Sequence, residues 1–169
     1  MISNEKIVEK LLETTRCEDG VNSGCECLFL NFGHIGLKLY MSKCVRDNCF
    51  YSQEAAYARD LAPKASNPMY MKIGNVDIYG YYTEIAEVMV EVKNSDKRLK
   101  MHEEYDIFME NIKEVVSPGC FNDLSDWNIG FIGNRHVCID FGNGGRDYLE
   151  SRDWNHVLDE IKDACKVLN

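Results

Sequence analysis

No stretch of this 169-residue chain approaches the roughly 18 continuous apolar residues that a membrane-spanning helix needs. The first residues, MISNEKIVEKLLETT, are acidic and amphipathic, without the basic and then apolar profile of a secretory signal. Positive charge is scarce: 19 Lys and Arg stand against 28 Asp and Glu, for a net charge of −9. This balance argues against a general nucleic-acid surface, where clustered cations must neutralise phosphates. It leaves room for a nucleotide site with a few local cations, or for an acidic face that docks a basic partner. The eight cysteines include no C-x2-C knuckle, so neither they nor the scattered His34, His102, His136 and His156 read as a metal cluster. Internal repeats and low-complexity linkers are also missing. What remains is one cytoplasmic domain over 1–169, with reduced thiols and no membrane partner.

The apolar periodicities order that domain. Ile7, Val8, Leu11 and Leu12 predict a helix over 4–15, capped by Ser3 or Asn4. Residues 27–31 and 35–40 predict two strands around the turn Phe32-Gly33-His34, and the Ala-rich 47–62 predicts a helix closing before Pro63. Two further strands follow in MYMKIG and VDIYGYYTEIAEVMVEV. Residues 96–116 form the longest helical segment, ended by Ser117-Pro118-Gly119, and 152–167 form a last helix with Trp154, Val157, Leu158, Ile161 and Cys165 on one side. Helices and strands mixed in this order favour α+β with an antiparallel sheet.

The densest chemistry lies in NDLSDWNIGFIGNRHVCIDFG, residues 122–142. Ile129 and Phe131 alternate with Gly130 and Ile132, Gly133-Asn134 supplies a turn, and His136–Ile139 returns as an apolar strand. Such a hairpin can hold Asn128 and Asp140 close together at its open end, as the grip on a metal-bound triphosphate requires. Upstream, Lys38 sits in the apolar strand GLKLY, where its ammonium must find an anionic partner. Trp127 is expected to pack against the long helix, and Arg135 at the hairpin turn to be solvated.

D-L-x-x-x-N at 123–128 followed by a short hairpin and D-F-G at 140–142 resembles the catalytic core of protein kinases, and of their atypical, minimal members in particular, viral ones included. The resemblance implies a kinase-like fold: an antiparallel N-lobe sheet with one helix over about 1–92, and a strongly reduced C-lobe over about 93–169. It implies ATP and Mg²⁺ as cofactors and a protein substrate. It casts Asp123 as the base that accepts the hydroxyl proton, Asn128 and Asp140 as metal ligands, and Lys38 with Glu54 of the following helix as the phosphate-binding pair. The backbone from Glu84 to Ala86 would receive adenine, and Gly20 and Gly24 would partly cover the phosphates. The sequence departs from the family in three places. G-x-G-x-x-G is absent, Phe121-Asn122 replaces the usual His-Arg, and only 27 residues follow Gly142, with no A-P-E. These departures also suit an inactive, kinase-shaped module that inhibits or scaffolds a partner protein. An α+β interaction protein without that ancestry would instead put Lys38 and Asp140 on unrelated faces.

Overall fold

The computed structural model describes residues 2–14, 27–89, 95–115, 128–141 and 154–167. Its elements, in chain order, are α1 (Asn4–Glu13), β1 (Leu28–Asn31), β2 (Gly36–Tyr40), α2 (Lys43–Tyr57), β3 (Ala65–Ile73), β4 (Val76–Thr83), β5 (Glu87–Val88), α3 (Ser95–Val115), β6 (Ile129–Ile132), β7 (Arg135–Cys138) and α4 (Trp154–Val167). The strands form two antiparallel sheets, one in the order β1-β2-β4-β3 and one in the order β5-β6-β7. The class is therefore α+β. None of the described helices is long and apolar enough to cross a membrane.

Local chemistry sets the element ends. Ser3 caps α1 by accepting from the Lys6 amide, and Ser42 caps α2 by accepting from the Val45 amide. The second cap starts α2 at Lys43, four residues before the Ala-rich segment, because Ser-Lys-Cys-Val carries a capping signal but little helix propensity. The helix also ends earlier than expected, at Tyr57, and Asp60 takes a left-handed φ of 61° in the turn that follows. Between β1 and β2, Asn31 Oδ1 accepts from the Gly33 amide at 2.7 Å, and Gly33 has a φ of 84°. β3 begins at Ala65, upstream of MYMKIG, and admits Pro68 because its register shifts between Ser66 and Met69. Beyond Thr83 the expected long strand narrows to the two residues of β5, and 90–94 lie outside the described residues.

The larger sheet has two apolar faces, because alternate residues of a strand point to opposite sides. Leu37 and Leu39 of β2 join Val76, Ile78 and Tyr82 of β4 in a cluster closed by Ile7 and Leu11 of α1 and by Trp154, Val157, Leu158 and Ile161 of α4. Tyr40 of β2 and Tyr81 of β4 face the other way, into a cluster with Cys49, Phe50 and Ala56 of α2, Phe108 and Ile112 of α3, and Ile129, Phe131 and Phe141. The apolar stripe of the helix 154–167 is buried with α1 on the back of the first sheet.

The small sheet requires a glycine at one point. A Cβ on Gly130 would sit 2.8 Å from the Glu87 carbonyl oxygen and 3.1 Å from the Ala86 Cβ. We expect Gly130→Val to lower Tm by roughly 4–10 °C in a thermal scan followed by circular dichroism, from about 1–3 kcal/mol of overpacking. An unchanged Tm would contradict the β5–β6 pairing.

Candidate functional site

Lys38 is central to the second face of the sheet. It lies opposite Tyr81 in the β2–β4 register and is only 7% exposed. Its Nζ donates to the Ile139 carbonyl at 2.6 Å and to Gln53 Oε1 at 3.2 Å. The ammonium also lies 5.7 Å from the Tyr81 ring centroid and 5.9 Å from that of Phe141, within the range of cation–π attraction. Burial pulls its pKa down, but the acidic groups around it (Tyr81, then Asp140, Cys27 and Cys49) more than offset this, so the net direction is upward. Lys38 is a cation at neutral pH, and burial keeps Tyr81, Cys27 and Cys49 in their neutral forms beside it.

The segment Ile139–Phe141 is held carbonyl by carbonyl. Lys38 takes the Ile139 oxygen, Cys138 Sγ donates to the Asp140 oxygen at 3.1 Å, and Cys49 Sγ donates to the Phe141 oxygen at 3.1 Å. The Ile139 amide donates back to the Asn128 carbonyl at 2.8 Å, which closes the open end of the β6–β7 hairpin. Residues from β2, α2 and the hairpin thus converge on three consecutive peptide groups, with the Phe141 ring buried beneath them. The thiols stay neutral: burial, the largest influence, pushes Cys49 up to about 12 and Cys27 up to about 11.

The helix partner of Lys38 differs from the expected one. Gln53 is fully buried and meets the lysine, while Glu54 is exposed one position further on. Successive helix residues turn by about 100°, so only one of the two can face the sheet. The signal was present in the sequence: Arg46, Cys49, Phe50, Gln53 and Ala56 form the buried stripe of α2 at helical spacing, and position 54 falls off it.

The other expected site residues divide in the same way. Asn128 and Asp140 are half-buried at the hairpin's open end, brought together by the Ile139–Asn128 bond. Their side chains are an amide and a carboxylate. These hard donors suit a magnesium ion that completes its shell with phosphate and water, rather than zinc. Among the described residues no group of three or more His, Cys, Asp or Glu is placed to hold a metal. Glu84 is exposed, and its amide is already given to the Lys64 carbonyl at 3.0 Å, while its carboxylate accepts from the Lys64 amide at 2.8 Å. Ile85 and Ala86, the rest of the Glu84–Ala86 segment, are half-buried. Asp123, Gly20, Gly24 and Trp127 lie outside the described residues. Arg135 is not simply solvated: it pairs with Asp60 at 2.9 Å and lies 5.9 Å from the Tyr57 ring centroid.

No family model matches the chain, and no curated protein matches it in sequence. The functional reading therefore rests on the site itself.

Proposed function

We propose that this protein is an ATP- and magnesium-dependent phosphotransferase of a minimal kinase-like type, transferring the γ-phosphate to a hydroxyl of a protein substrate. One observation carries the reading: the 2.6 Å bond from Lys38 to Ile139, with the 2.8 Å bond from Ile139 to Asn128, puts Lys38, Asn128 and Asp140 in one locality. Phosphoryl transfer needs a cation and hard-oxygen metal ligands there, since positioning and charge stabilisation supply nearly all the acceleration. The strand order β1-β2-β4-β3, with residues of α2 and of the β6–β7 hairpin clustered on the Tyr40–Tyr81 face, supports this reading. In this reading Lys38 binds phosphate oxygens, Asn128 and Asp140 hold magnesium, Asp123 takes the hydroxyl proton, and Ile85–Ala86 border the adenine. Gln53, not Glu54, orients the lysine. When bound, magnesium supplies charge neutralisation at the phosphates.

The test is calorimetric titration of the whole chain with ATP, with and without Mg²⁺. Micromolar binding that strengthens with Mg²⁺ is expected. No heat in either condition would sink the reading.

A second reading, a kinase-shaped module without catalysis that inhibits or scaffolds a partner, draws on other observations. Lys38 is engaged by two protein oxygens, and α4 covers the back of the sheet instead of building a substrate lobe. With a net charge of −9, such a module would suit a basic partner. Absent nucleotide binding, together with a tight protein partner in pull-downs, would favour it.

A further inference from the structure

We infer that Gln53 is the positioning residue of this site, coupling the lysine end to the Glu84–Ala86 end through its amide, and that a carboxylate cannot replace it. For the identity of the ligand this rests on the nucleotide reading above; for the coupling itself it does not.

The polarity of the network is set by partners that cannot change theirs. Lys38 only donates, so the Gln53 atom 3.2 Å from it is the carbonyl oxygen. The Pro63 carbonyl only accepts, so the atom 3.0 Å from it is the amide nitrogen. Two fixed partners at opposite ends thus orient the amide. The rest follows by counting hydrogens. Tyr81 donates to Gln53 Oε1 at 2.9 Å, so its oxygen accepts from Tyr40 at 3.3 Å. Gln53 Nε2 donates to Thr83 Oγ1 at 2.7 Å, so the Thr83 hydrogen goes to the Glu84 carbonyl at 3.2 Å. The chain of bonds runs in one direction, from Tyr40 through Tyr81, Gln53 and Thr83 to Glu84, and Lys38 joins it at Gln53.

A glutamate at position 53 would fill the same volume and pair more strongly with Lys38, yet it carries no hydrogen for Pro63 or Thr83. The Pro63 carbonyl would lose its buried donor. The Thr83 hydroxyl would turn toward the carboxylate and leave the Glu84 carbonyl. The added negative charge would also oppose a polyphosphate at Lys38, where Asp140 already supplies one carboxylate.

The experiment compares wild type, Gln53→Glu and Thr83→Val in the full chain. Three quantities are read: Tm, amide hydrogen exchange at Glu84, and the ratio of ATP to inorganic triphosphate affinity in Mg²⁺. Repulsion by added charge acts on both ligands alike, so the ratio isolates the coupling to the base end. Gln53→Glu is expected to lower Tm by about 4–8 °C, raise exchange at Glu84 about tenfold, and reduce the ratio about fivefold. Thr83→Val leaves the partners of Lys38 in place and is expected to reproduce the exchange and ratio changes; it decides the question should Gln53→Glu fail to fold. An unchanged or raised Tm with unchanged Glu84 exchange in Gln53→Glu would overturn the inference, making Gln53 an interchangeable partner of the lysine. If wild type binds neither ATP nor triphosphate, the nucleotide reading fails, and Tm and exchange still decide the coupling.

Discussion

Asp140→Asn is expected to abolish the magnesium response of ATP binding and to reduce phosphate transfer at least about 100-fold, with Tm shifted by no more than a few degrees. The substitution is nearly isosteric, and the bonds that hold the segment use the backbone oxygens of residues 139 to 141, not the Asp140 side chain. What is lost is charge. Asparagine offers a metal an amide oxygen in place of a carboxylate one, and Lys38 loses the Coulomb attraction of Asp140 that helps hold its pKa up. Titration of ATP with and without Mg²⁺, beside a thermal scan, separates the two consequences. A variant that keeps the wild-type magnesium response would remove Asp140 from the metal site and leave the partner-binding reading in front.

Alkaline pH is expected to unfold the protein through the same region. Cys49 is held up to about 12 by burial, and burial likewise raises Tyr81 and Tyr40. A group whose folded pKa lies above its unfolded value contributes stability that is complete below the unfolded pKa and is lost as pH rises from there. The ordinary thiol value here is 9.0 and the ordinary phenol value 10.0, so the loss begins near pH 9 and steepens above 10. Lys38, whose net shift is also upward, adds to the loss above its ordinary value of 10.5. By pH 11 Cys49 alone accounts for about 2–3 kcal/mol, at about 1.4 kcal/mol per pH unit, a large share of typical domain stability. Tm should fall by roughly 5–10 °C or more between pH 8.5 and 11. A flat Tm across that window would contradict a neutral, buried Cys49. Residue-resolved alkylation at pH 8 gives a second check: exposed Cys44 should react quickly, while buried Cys49 and Cys138 wait for unfolding.

How much of this could be read beforehand differs between elements. The β6–β7 hairpin was legible because its information is local: alternation, a Gly-Asn turn and a short return strand lie within a dozen residues. Helices α1 and α4 were legible from their apolar stripes, and the pairing of β1 with β2 from the turn at Gly33. The start of α2 was less legible, because the Ser42 cap outranks the weak helix propensity of the residues that follow it. Residues 152–167 read correctly as an amphipathic helix, but an apolar stripe does not name its partner, and that partner proved to be α1 and the back of the first sheet.

The same division runs through the site. By itself the sequence determined the class of the fold, the hairpin with Asn128 and Asp140 at its open end, and a lysine in an apolar strand that had to find oxygen partners. Those features depend on spacing along the chain. Only the tertiary structure decided which oxygens those were: the carbonyl of Ile139, about a hundred residues away in sequence, and the amide of Gln53 instead of the carboxylate of Glu54. The physical reason is that a buried ammonium is satisfied by whatever acceptor the packed faces bring within about 3 Å, and neutral amides and carbonyls serve when the helix stripe presents them.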